Sequence, residues 1–156
     1  MSKIIICILL ASCLIIQYCL NLSIGASFDF VAVLAVVMSM ELGIIYPLSI
    51  IALSIIADNV AAPWILGSHL IGFALSLSFF NYLFKYYTLC NMLQKMMTNM
   101  LLVFFVSIIV FIVNYIFKIN YFSMEAWTVN IFIATPLITY ILVRFNNPKN
   151  YMNMYE

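Results

Sequence analysis

The sequence predicts an all-α integral membrane protein, a compact bundle of six transmembrane helices with N- and C-termini both cytoplasmic. Three observations carry that expectation. Hydrophobic residues make up 67% of the 156 positions and charged residues only 7%, against roughly 25% charged in a soluble domain. Apolar runs recur along the chain, and because one crossing takes about 20 residues, they leave no length for a folded soluble domain. The few cations fall so that an even number of crossings places nearly all of them on one side.

The first span covers 4–22. The start "MSKIIICILLASC" has a basic residue and the Leu10-Ala11-Ser12-Cys13 pattern of a lipoprotein cleavage site, but the apolar run continues through "LIIQYCL". That continuation argues for a retained helix and against a removed signal. The four cysteines, Cys7, Cys13, Cys19 and Cys90, contain no C-x-x-C pair. Three of them lie in this span, where a reduced cysteine behaves as a small hydrophobe. Neither a disulfide nor a metal site is expected.

Residues 28–62 are apolar but interrupted by Glu41-Leu42-Gly43 and by Pro47. Read as two short helices, 28–41 and 43–58, they place Lys3, Lys85, Lys95, Arg144 and Lys149 in the cytoplasm and only Lys118 outside, as the positive-inside rule requires. One long helix would move Lys85, Lys95, Arg144 and Lys149 outside. The remaining spans are 65–85, 96–117 and 126–145, all within a single membrane domain, 1–145. The polar stretch 146–156, in which Pro148 opposes helix continuation, is expected to be a flexible cytoplasmic tail. Trp64, Trp127, Tyr115 and Tyr121 fall near the outer interfaces, where aromatic residues anchor helices.

Small residues at four-residue spacing let helices approach closely in lipid. They recur as Ala35, Ser39 and Gly43 in the second span, Ser54, Asp58 and Ala62 in the third, and Ser68, Gly72 and Ser76 in the fourth. Asp29 opens the second span, a position favoured by the helix dipole. Glu41 is placed in a tight cytoplasmic turn. Asp58 ends the third span, and Gly67 and His69 begin the fourth, so that Asp58 and His69 are expected to meet across the turn. Such a pair reads either as a clamp between helices or as a proton or substrate site. A relay needs further polar residues, and Asn114 and Thr139 read as isolated, which favours the clamp. The candidate partner-binding or structural residues are therefore Asp29, Ser54, Asp58, Gly67, His69 and Gly72.

Other chemistry is excluded more simply. A formal net charge of +1 without clustered Lys and Arg does not fit a nucleic-acid partner. The chain has one histidine, no Gly-rich phosphate loop and no nucleophile elbow. No catalytic constellation or cofactor site is expected, so the chain is not read as an enzyme.

The polar positions in the middle of the chain resemble those of the rod shape-determining protein MreD family, small bacterial inner-membrane proteins of about this length. The resemblance runs from Phe28 to Phe84. It rests on Asp29 in "SFDFVAVLAVV", on Asp58 ending "LSIIADNVAAP", and on Leu66-Gly67-Ser68-His69 opening the next helix. The family's third helix usually carries glycines before its aspartate, where this chain has Ile50 and Ser54. The resemblance implies a non-catalytic scaffold of the cell-elongation machinery, in the bacterial cytoplasmic membrane. It would bind the bitopic protein MreC and, through it, link MreB filaments to the RodA glycosyltransferase and a penicillin-binding transpeptidase. The expected fold resembles that of the substrate-binding subunits of energy-coupling-factor vitamin transporters, and membership of that group is the rival expectation. Its usual first-helix Ala-x-x-x-Ala is replaced here by Cys7 and Ala11.

Overall fold

A computed structural model of the chain describes residues 3–24, 28–42, 68–117 and 123–146, and all regular structure among them is helical. Helix α1 spans Lys3–Ile24, α2 Phe30–Leu42, α3 Ser68–Tyr87 and α4 Met92–Ile116. A C-terminal rod joins α5 (Met124–Val129) through one π-helical turn (Asn130–Ala134) to α6 (Thr135–Asn146). Helix α4 and the rod are each long and apolar enough to cross a membrane. The expected third span, with Ser54 and Asp58, lies outside the described residues, as do Gly67, Trp64, Tyr121 and the tail beyond Asn146.

Helix α2 is the centre of the bundle. Val31 and every residue from Val33 to Met40 are buried, as expected of a helix that is apolar on all sides. It packs against α1, α3, α4 and the rod. The small residues Ala35 and Ser39 lie inside this core. On α3, Gly72 lies against α4. A Cβ added to Gly72 would stand 3.0 Å from Val110 Cγ2 and 3.3 Å from the Val106 carbonyl, so a larger residue there must push α4 back by a few tenths of an ångström.

Side-chain bonds fix the helix directions. Gln17 and Asn21, late in α1, reach the start of α2, which makes the two an antiparallel pair. His69 at the start of α3 meets Asp29, while Tyr87 at its end meets Glu41, so α3 runs parallel to α2. Lys95 begins the return in α4. Asn130 and Asn146 meet Asp29 and Glu41 respectively, so the rod also runs parallel to α2. Leu42 and Ser68 therefore lie at opposite ends of the bundle. Lys3, Tyr87, Met92 and Asn146 share the Glu41 end.

Three local expectations are corrected. Helix α4 begins at Met92, ahead of the expected 96, because Asn91 and Gln94 form a reciprocal capping box: Gln94 N–H donates to Asn91 Oδ1 (2.9 Å) and Asn91 N–H to Gln94 Oε1 (3.0 Å). Lys95 is thereby helical rather than part of a loop. Glu41 belongs to α2 and its side chain is turned inward, because partners on α3 and α4 receive it. Asn146 closes α6 instead of opening a tail, and its side chain bonds the Glu41 carbonyl.

Candidate functional site

The start of α2 gathers polar groups from α1, from α3 and from the π turn of the rod. The first N–H groups of a helix have no partner within it, and here side chains supply acceptors. Asp29 is the N-cap, its Oδ1 accepting from Ala32 N–H at 3.2 Å. Gln17 Oε1, buried in α1, accepts from Val31 N–H at 3.0 Å. Asn21 grips the preceding residue by both backbone groups, accepting from Phe28 N–H (2.8 Å) and donating to its carbonyl (3.2 Å). Asn130 Oδ1, from the π turn, accepts from Asp29 N–H at 3.4 Å.

His69 completes the arrangement, its Nε2 in contact with Asp29 Oδ2. The aspartate thus divides its carboxylate: one oxygen caps α2 and the other holds α3. The imidazole is closed off at 3% exposure, while the Asp29 side chain keeps 15%. Chemically this joins a carboxylate at a helix N-terminus, where the dipole favours negative charge, to a buried imidazole. Sequence reasoning paired His69 with Asp58, which lies outside the described residues; among the described residues its Nε2 meets Asp29. Gly72 lies one turn further along α3, against α4, and contributes packing.

A second polar cluster sits at the other end of α2. Glu41 Oε1 accepts from Tyr87 Oη (2.7 Å) and from Lys95 Nζ (3.4 Å). Asn99 Nδ2 donates to Tyr87 Oη (2.8 Å) and to Thr139 Oγ1 (3.0 Å). A carboxylate at a helix C-terminus is opposed by the dipole, and Lys95, which also lies 4.8 Å above the Tyr87 ring centre, offsets that. Thr139 is therefore not isolated. Asn114 is buried with its Oδ1 unbonded.

Sequence reasoning missed Gln17, Asn21, Asn99 and Asn130. Each is an amide in an apolar helix, and a buried amide requires a partner; that requirement was the available signal. Among the described residues no group of three or more His, Cys, Asp or Glu side chains is placed to hold a metal ion. Comparison of the chain with models of protein families, with curated proteins and with solved structures finds no match.

Proposed function

We propose that the chain is a multi-pass, non-catalytic membrane scaffold of the bacterial cell-elongation machinery that binds an MreC-like bitopic partner. The observation that carries this reading is the Asp29–His69 contact, because both residues belong to the positions that resemble the MreD family, and they lie 40 residues apart in sequence. Their meeting gives the resemblance a physical purpose: one polar clamp ties the central helix to its neighbour and shapes the surface at that end.

The membrane setting is supported by the outside of the bundle. Large apolar side chains stand exposed on α1 (Ile15, 64%), α3 (Leu75, 66%), α4 (Leu101, 47%) and the rod (Ile133, 60%), a distribution that water penalises and lipid does not. Lys85, Lys95 and Arg144 gather toward the Glu41 end, and Asp29 and Glu125 at the other. The positive-inside rule then directs the Glu41 end, with Lys3 and Asn146, to the cytoplasm.

The test is to tag the C-terminus, extract the protein from its native membrane in mild detergent and identify what co-purifies. MreC together with cell-wall synthases is the expected outcome. Paired ATPases with a coupling membrane subunit would overturn it in favour of a vitamin transporter.

A further inference from the structure

We infer that Thr135 and Pro136 position the Asp29–His69 pair from a distance: they hold the π turn, and the π turn sets the rotational register that aims Asn130 at the start of α2. Side chains on an α-helix step by about 100° per residue. Asn130 and Thr135, five apart, would then point about 140° away from each other. Both are instead buried, at 4% and 0%. The wider turn absorbs one residue and returns Asn130 to the inner face of the rod. Beyond the turn the inner face continues through Thr139, bonded to Asn99, to Asn146, bonded to the Glu41 carbonyl. One rod thus reads both ends of α2 only because its two halves are offset by a residue.

The cause is local. Proline has no N–H to donate, and its ring crowds the carbonyl four residues back, here that of Phe132. Thr135 supplies the alternative, since its N–H and its Oγ1 (2.7 Å) both donate to the Asn130 carbonyl, five residues back. The half of the rod before the turn also carries Trp127, stacked on Phe104 of α4 with ring centres 5.2 Å apart. Any rotation of that half separates those rings.

Only the partner-binding arm of the test rests on the scaffold reading. In a Trp64→Phe background, where Trp127 is the single tryptophan, Pro136→Ala and Thr135→Val/Pro136→Ala are compared with the exposed-site control Ile133→Ala. Trp127 emission and capture of MreC are measured on the full-length protein. The two turn variants are expected to shift the emission and to lower capture at least severalfold, with the control unchanged. Asn130→Leu, which removes the acceptor without altering the turn, should lower capture and leave the emission in place. Should Pro136→Ala lose its helical circular dichroism, Thr135→Val carries the comparison, with Thr135→Ser restoring wild-type emission. Unchanged emission in the turn variants overturns the inference. An emission shift in a protein whose parent captures no MreC upholds the register and removes the scaffold reading instead.

Discussion

Asp29 does two things with one carboxylate, and substitutions separate them. Asparagine is as good an N-cap as aspartate, so Asp29→Asn should keep α2 anchored while weakening the hold on His69. Asp29→Ala loses both, and the cap alone is worth about 1 kcal/mol. Thermal unfolding in detergent should therefore rank wild type above Asn and Asn above Ala; equal melting of the two variants would show that the cap contributes nothing. At Gly72 the neighbour is partly backbone, the Val106 carbonyl at 3.3 Å, which cannot step aside as a side-chain tip can. Gly72→Ala should cost roughly 1–3 kcal/mol as overpacking, read by the same melt. For Glu41, the partner matters more than the charge. Lys95→Met leaves a carboxylate with 3% exposure unbalanced, whereas Lys95→Met/Glu41→Gln removes the problem. A double-mutant cycle should find the double variant more stable than the single one.

Among the described residues hydropathy located the helices to within a few residues and missed their polar turns, because it registers where apolar residues run and not where hydrogen bonds begin. The first turn of α4 is "MLQK", which reads as loop until Asn91 and Gln94 are recognised as a capping box. Asn91→Ala should cost about 1 kcal/mol and loosen Lys95, one turn inside the helix, detectable as faster amide exchange confined to the start of α4. The polar face of the rod was hidden for a different reason. A constant helical period sends Asn130 away from Thr135 and Thr139, and the residue that repairs the alignment is visible only as a π turn. Helix α2 was legible as apolar but not as central; that follows from burial on every side, which composition alone does not distinguish from exposure to lipid.

At the scale of the whole molecule, the side-chain bonds place Lys3 and Asn146 at one end of the bundle, together with the turn between α3 and α4. The site was legible in part. Asp29 and His69 stood out as costly groups in an apolar chain, while their mutual contact depends on a fold that brings together residues from separate helices. In intact cells, an impermeant thiol reagent should label Ser123→Cys from outside and reach Cys90, the α3–α4 turn, only after permeabilisation, each in a background lacking other cysteines. The reverse pattern would invert the proposed orientation. The central helix is described over Phe30–Leu42. Its first N–H groups, its N-cap and the Glu41 carbonyl are met by side chains from elsewhere in the chain. Two of the groups that do so are Asn130 and Asn146, 101 and 105 residues further along the chain. Synthesis thus delivers the second helix early and its last partners late, so the core of the bundle remains incomplete in the membrane until the C-terminal rod has been inserted beside it.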